Sequence, residues 1–158
     1  MRWPPALLAL AALTATAQDG EPLQNWFDDP FFQLSNAVPD CPVPAGPFTD
    51  EADRRVQAHH RADKGTTCWL AGDCEKPNAF MYDREIAAAL RKALSGNVAD
   101  TTLWVTVQGR VVYIEGCARG ESVVADIEAA ARGVAHVYRA IAIVRTDASA
   151  RVPYRRRP

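Results

Sequence analysis

The chain lacks an apolar run of membrane-spanning length: its longest, residues 6–13, is far shorter than the roughly 20 residues that a spanning helix needs. It also lacks a strong excess of one charge, with 18 Lys and Arg against 19 Asp and Glu. Proteins that bind nucleic acid need a concentrated basic excess, so nucleic acid is not expected as a partner. The motifs of serine hydrolases, zinc proteases and phosphate-binding loops are missing as well. We therefore expect no transmembrane segment, no cofactor and no catalytic site.

The first 17 residues have the features of a secretory signal peptide. Arg2 precedes the apolar run, and Ala15 and Ala17 supply the small residues of a cleavage site. Cleavage near Ala17 removes one basic residue and leaves 17 basic and 19 acidic residues, a net charge of about −2. We expect the mature protein to be periplasmic or secreted.

Proline divides the remaining chain into unlike parts. Most prolines lie in residues 18–80, which we predict to be a partly irregular extension with one surface helix over residues 50–64. Residues 81–146 contain no proline and are predicted to form the folded domain. Residues 147–158 are predicted to be a flexible basic tail that carries Arg151, Arg155, Arg156 and Arg157.

Two amphipathic helices are predicted within the domain. Ile86, Leu90 and Leu94 recur every four residues, after an N-cap at Asp83. Further along the chain, residues 123–131 form a second apolar stripe, which Gly133 closes.

Three strands are predicted around the second helix. Residues 102–107 and 111–115 alternate in polarity, and a turn at Gln108-Gly109 would join them, with Gly109 supplying the positive φ of a hairpin turn. This register places Val105 opposite Val112. A third strand over residues 137–144 follows the second helix, so its pairing is predicted to be parallel.

These elements predict an α+β two-layer sandwich ordered helix-strand-strand-helix-strand, with a three-stranded mixed sheet. Strand parity places Leu103, Val105, Val112, Ile114 and Ile141 beneath the helices. The other face would then be a large apolar surface, which we predict to be the binding face: Trp104, Val111, Tyr113, Tyr138, Ala140, Ala142 and Val144.

The region resembles the BON domain of bacterial envelope proteins. Gly109 lies at the turn and Gly116 at the end of the second strand, where that family has glycines, and Gly133-Val134 with Val137 and Ile143 matches its G-V-x-x-V ending. The resemblance implies a place in the periplasm or outer membrane, a link to osmotic or envelope stress, and attachment to phospholipid or other envelope components. It implies no catalytic residues. Cys117 departs from the family pattern, and a single domain stands where a tandem pair is common.

Two interpretations of the apolar face remain open at this stage. The extension, with Trp26, Phe27, Phe31 and Phe32, could fold back and bury it, or the face could meet lipid or a partner protein. The arginines of the tail are either a solvated end or contacts for anionic lipid.

The four cysteines of a secreted chain predict two disulfides, for which three connectivities are possible. Cys117 shares the parity of Val111 and Tyr113, so it points to the open face, where it could hold the extension. This favours Cys41 to Cys117, with Cys68 to Cys74 closing a short loop.

A metal site and an enzymatic nucleophile are two further hypotheses for the cysteines. His59 and His60 precede Cys68 and Cys74, but adjacent histidines of a helix point about 100° apart, and an oxidising compartment favours disulfides over zinc thiolates. His136 is expected to be a solvated loop residue. No metal is predicted, and Cys117 would need a nearby base to act as a nucleophile.

The sequence thus favours a non-enzymatic envelope protein that binds an anionic phospholipid surface or an envelope protein. The alternative is a self-contained scaffold factor whose own extension occupies the open face. A small periplasmic hydrolase is a third hypothesis, which would require a deep pocket with converging polar groups.

Overall fold

The computed structural model describes residues 22–96 and 98–157. Both ends of the predicted signal peptide, Arg2 and Ala17, lie outside these residues. The elements in chain order are β1 (Phe31–Asn36), α1 (Glu51–Gly65), α2 (Thr67–Leu70), a 3₁₀ turn (Ala79–Tyr82), α3 (Asp83–Leu94), β2 (Thr101–Gln108), β3 (Val111–Ala118), α4 (Glu121–Arg132) and β4 (Arg139–Arg145).

The sheet has four strands in the order β1-β2-β3-β4, so the prediction of three strands is wrong. The mixed character is confirmed, since β1–β2 and β2–β3 are antiparallel and β3–β4 is parallel. The added strand comes from the extension. Phe32 of β1 pairs with Val105, and the extension thereby satisfies the backbone of an otherwise free edge of β2.

The hairpin turn lies one residue further along than predicted. Gln108 pairs with Val111, so the turn residues are Gly109 and Arg110, with φ of +59° and +69°. Positive φ at both positions is the requirement of a type I′ turn, whose twist matches that of the strands. Val105 therefore lies opposite Ile114, not Val112. The shift moves partners by two residues, so every β2 and β3 side chain keeps its predicted face.

Asp83 does not cap α3 as predicted: it is the first helical residue, and Tyr82 occupies the N-cap position. The carboxylate instead accepts hydrogen bonds from the backbone N–H groups of Gly109 (2.7 Å) and Arg110 (2.8 Å). The start of α3 is thereby fastened to the hairpin turn.

Side chains of α3 and α4 share one core cluster with one side of the sheet. Ile86, Leu90 and Leu94 of α3 are fully buried against Leu103, Val105 and Ile114. Gly133 is the C-cap of α4.

The predicted facing of β4 is wrong. Ala140 pairs with Val112 and Val144 with Gly116, so both lie on the helix-covered face, whereas Ile141 pairs with Tyr113 on the other face. Alanines at the covered positions let α4 pack closely on this strand. The outer edge of β4 is partly capped, because the N–H of Ala142 donates to the Glu128 carboxylate of α4 (2.9 Å).

The opposite face of β1 and β2 is covered by the extension and by the C-terminal residues. Trp104 is only 7% exposed and Thr106 is buried, and Gly46 lies against the ring of Phe31. Bridges join Cys41 to Cys117 and Cys68 to Cys74, the connectivity that strand parity favours. The first of them fastens the extension to the end of β3.

The C-terminal residues are not the flexible tail that the sequence predicts. Pro44 and Arg156 form an antiparallel bridge, the N–H of Ala45 donates to the carbonyl of Arg155 (2.7 Å), and that of Arg157 donates to Val43 (3.0 Å). Tyr154 is buried, and its hydroxyl donates to the carbonyl of Pro42 (2.7 Å). Residues 155–157 are held by backbone pairing with a distant segment, and such pairing leaves no periodic signal in a segment of this length. The run of arginines therefore suggested a mobile end.

Candidate functional site

The part of the sheet left open by the extension lies on β3 and β4. Cross-strand neighbours there are Val111 with Arg139, Tyr113 with Ile141, and Glu115 with Ile143. Apart from the exposed Arg139, these side chains are half-buried. We call the half-buried set the β3–β4 face: Val111, Tyr113, Glu115, Ile141 and Ile143.

This face differs in part from the predicted binding face. Val111 and Tyr113 belong to it, but Trp104 is buried under the extension and Val144 lies on the side of the helices. Tyr138 precedes β4 and is 77% exposed. The difference arises because β4 faces the other way from the prediction. Ile141 and Ile143 lie on this face, whereas Ala140, Ala142 and Val144 lie on the side of the helices.

An arginine stands at each end of β4 on the same side as the β3–β4 face. Arg139 is exposed beside Val111. Arg145 lies beside Cys117, and its guanidinium donates to the carbonyl of Ala148 (3.3 Å) and contacts the Cys117 sulfur (3.5 Å). An apolar strip with cations at both ends is suited to a surface that is itself both apolar and anionic.

Glu115 places a carboxyl group in the middle of this strip. Burial raises the pKa of Glu115 above its ordinary value, since the apolar surroundings disfavour the charged form. Among the described residues no hydrogen bond to its carboxylate is formed. The charge at the centre of the face is therefore sensitive to pH.

A shallow cleft continues the β3–β4 face toward α1. It has a volume of about 190 Å³ and lies between Tyr113 and Gln108 of the sheet and His60 and Lys64 of the helix. The helix is held there by Arg61, which pairs with Asp29 and stacks on Phe27 and Phe80 at 4.0 and 4.1 Å. The cleft adds cationic groups to a second border of the face.

Comparison with known protein families identifies the module that carries this face. The family model for the BON domain matches residues 82–145. The chain contains a BON domain. Its bounds take in α3, β2, β3, α4 and β4, and so the whole β3–β4 face, whereas β1 and α1 lie outside the BON domain. Comparisons with curated proteins and with solved structures found no match.

Three of the four predicted arginine contacts are held against the extension. Arg157 stacks on Phe48 at 3.9 Å, and Arg155 lies 3.9 Å from the carboxylate of Asp53. Arg156 is held through its backbone, and Arg151 is exposed. The structure thus holds most of these arginines in a fixed place beside the sheet.

The histidines do not form a metal centre with the cysteines. His59 lies 3.3 Å from Asp63 on the surface of α1, and His136 packs on the ring of Tyr82 at a centroid distance of 4.8 Å. Within residues 22–96 and 98–157, no three His, Cys, Asp or Glu side chains are placed to hold a metal ion. No helix in the same ranges is long and apolar enough to cross a membrane.

Three residues of the face were missed by the sequence analysis: Glu115, Ile141 and Ile143. A signal was present in β4, where Arg139 and Arg145 share the parity of the two isoleucines. Because arginine is seldom buried without a partner, this parity indicates the side away from the helices. The small alanines of the other parity point to close helix packing.

Proposed function

We propose that the protein is a non-enzymatic binding module of the cell envelope, which attaches through its BON domain to an anionic phospholipid surface. The observation that carries this proposal is the β3–β4 face, an apolar strip that the chain leaves half-exposed between Arg139 and Arg145. Tyr113 and Ile141 at its centre supply apolar area, and the arginines supply the charge that phosphate groups attract.

The expected strength of attachment follows from these two contributions. Covering apolar surface contributes about 25 cal/mol per Å², and each basic residue near an anionic surface adds about 1 kcal/mol. Arg139 and Arg145 stand at the two ends of the face itself. Several such small terms together give reversible binding, which salt weakens.

An extracytoplasmic location is part of the proposal. The two disulfides support it, because such bridges persist in oxidising compartments. The BON domain and the signal-peptide features of residues 1–17 favour the periplasm or secretion, and a role under osmotic or envelope stress is the corresponding proposal for physiology.

A second candidate function is that of a self-contained scaffold without lipid binding. The covered half of the sheet favours it, since the chain buries Trp104 with its own extension. In that case the half-exposed remainder is simply the surface of a small domain.

Vesicle co-sedimentation distinguishes the two candidates. We expect the protein to bind vesicles of phosphatidylglycerol and phosphatidylcholine at low salt, and Arg139→Glu to weaken binding about tenfold, because it replaces an attraction by a repulsion. Lys92→Glu is the matched control, since Lys92 is exposed on α3 at the opposite side of the sheet. Equal binding by both variants, or no binding by the unmodified protein, would favour the scaffold.

A further inference from the structure

Four large apolar side chains are exposed at one end of the molecule. Trp69 is 49% exposed, Leu70 73%, Met81 57% and Tyr138 77%. Single exposed apolar residues are common on protein surfaces, but a group of four that includes two aromatic rings is typical of a contact surface.

The elements that carry the four side chains lie close to one another near the hairpin turn. The N–H of Tyr138 donates to the carbonyl of Arg110 in the turn (2.8 Å), and the ring of Phe80, next to Met81, lies against Gly109. The 3₁₀ turn that contains Met81 also packs on α2, which contains Trp69 and Leu70. We call Trp69, Leu70, Met81 and Tyr138 the hairpin-end cluster.

The loop that carries Trp69 and Leu70 is held in one conformation. The bridge from Cys68 to Cys74 closes it, and the N–H of Asp73 donates to the carbonyl of Cys68 (2.8 Å). Beyond the loop, the Tyr82 hydroxyl accepts hydrogen bonds from the N–H groups of residues 75 and 76 at 2.9 and 2.8 Å. A loop fixed in this way loses little conformational entropy when its apolar side chains become buried.

Three cations lie near the cluster. Lys64 precedes the loop, and Arg110 and Arg139 lie beside Tyr138, whereas the charge of Lys76 is paired with that of Glu85 (2.9 Å). Tryptophan and tyrosine favour the boundary between lipid headgroups and acyl chains, with cations placed at the phosphates. The loop also carries two carboxylates, those of Asp73 and Glu75, which restrict it to shallow insertion.

The cluster adjoins the BON domain's open face. Tyr138 comes directly before Arg139, the cation at the hairpin end of that face, whereas Trp69 and Leu70 lie outside residues 82–145. A single flat partner could therefore meet the face and the cluster together.

We propose that the hairpin-end cluster is a second membrane contact, in which the disulfide-closed loop of residues 68–74 inserts Trp69 and Leu70 into the interface of a phospholipid bilayer. This inference rests on the proposed function and adds a contact outside the BON domain. It gives the bound protein a tilt, in which the hairpin end of the β3–β4 face lies closest to the membrane.

Trp69 provides a direct probe of the insertion. The chain's other described tryptophans, Trp26 and Trp104, are less exposed, so the emission lost in Trp69→Phe identifies the signal of residue 69. With vesicles of phosphatidylglycerol and phosphatidylcholine whose acyl chains are brominated, we expect that signal to be quenched. Trp69→Ala should weaken vesicle binding about tenfold, since it removes the largest apolar side chain of the cluster.

Two further variants make the experiment specific. Val56→Ala removes a side chain that is 57% exposed on α1, away from the cluster, and should leave binding unchanged. The double variant Cys68→Ser and Cys74→Ser frees the loop but keeps Trp69, and should lose part of the affinity. Thermal unfolding of each variant shows that the fold is retained.

The results separate this inference from the proposed function. Quenching of Trp69 together with the loss of affinity in Trp69→Ala would support it. Vesicle binding that depends on Arg139 but shows neither quenching nor an effect of Trp69→Ala would overturn the insertion and leave the BON attachment standing. Absence of binding by the unmodified protein would overturn both.

Discussion

Asp83 is the side chain that joins the first helix of the BON domain to the hairpin turn. Burial raises its pKa to about 6, although the two backbone N–H donors from Arg110 and Gly109 act in the opposite direction. The nearby carboxylate of Asp29 raises it further, and Arg61 lowers it. Burial is the larger effect, so the fold favours the protonated acid.

Stability should therefore decrease with rising pH around this group. The folded-state pKa of Asp83 lies above its ordinary value of 3.8, so the folded protein binds the proton more tightly than the unfolded chain. Between about pH 4 and pH 6 we expect its contribution to the free energy of unfolding to fall by an amount on the order of 2 kcal/mol. Urea denaturation across this range measures the change.

Asp83→Asn is the control for that measurement. The amide keeps an acceptor oxygen for the turn but does not titrate, so the decrease due to residue 83 should be absent from the pH profile of the variant. The same pH slope in both proteins would contradict the assignment to Asp83.

Glu115 predicts a pH dependence for the proposed membrane attachment. Burial raises the pKa of Glu115, and its negative charge lies in the centre of the β3–β4 face, where it opposes an anionic surface. Protonation removes that repulsion, so we expect vesicle binding to strengthen as the pH falls. Glu115→Gln should bind more tightly than the unmodified protein at neutral pH and vary less with pH.

Glu121→Gln is a matched control, because Glu121 is an exposed carboxylate at the start of α4, on the side of the helices. Co-sedimentation at several pH values compares the two variants. A similar gain in both would assign the effect to net charge and not to the face.

At the scale of elements, the two disulfides differ in the length of chain they close. The bridge from Cys41 to Cys117 spans 76 residues and holds the extension, whereas that from Cys68 to Cys74 spans six. The chain-entropy relation gives about 4 kcal/mol for the first and about 2 kcal/mol for the second. Removing the first by paired Cys→Ser substitution should therefore destabilise the protein more.

Chemical denaturation of the two double variants measures this difference. The short bridge is an internal control, because both variants lose two cysteines. An equal loss of stability would indicate that the extension is held by its other contacts, among them the pairing of β1 with β2.

The elements that could be predicted from the sequence are those whose partners are close in the chain. The helix α3 and the strands β2 and β3 follow from apolar spacing and from one glycine turn. For β4 the alternation was ambiguous, since both parities are apolar, and only packing against α4 decides which side faces the helices. The strand β1 pairs with residues about 70 positions away, a distance over which sequence patterns carry no register.

The candidate site follows the same division. Val111 and Tyr113 were placed correctly relative to the helices because the hairpin fixes them. Trp104 shares their side of the sheet, but only the fold shows that the extension and the C-terminal residues bury it. The length and aromatic content of the extension allowed it to cover the sheet. They did not indicate that it covers only the part formed by β1 and β2.

At the scale of the whole molecule, the surface of the sheet has three parts with different surroundings. The helices of the BON domain bury one side, the extension buries half of the other, and the remaining half stays half-exposed. The extension also leaves Trp69 and Leu70 exposed. The segment outside the BON domain thus limits how much of the sheet a partner could reach.

The nested order of the bridges has a consequence for biogenesis. A chain that crosses a membrane with its N-terminus first presents Cys41, Cys68 and Cys74 to an oxidising compartment before Cys117 arrives. Cys41 can form its native bridge only after Cys117 has arrived. If Cys41 first forms a disulfide with Cys68, Cys74 is left to pair with Cys117, and both bridges are then non-native. The proposed export therefore calls for a thiol–disulfide isomerase, or for a short loop that closes fast enough to withdraw two of the three early thiols.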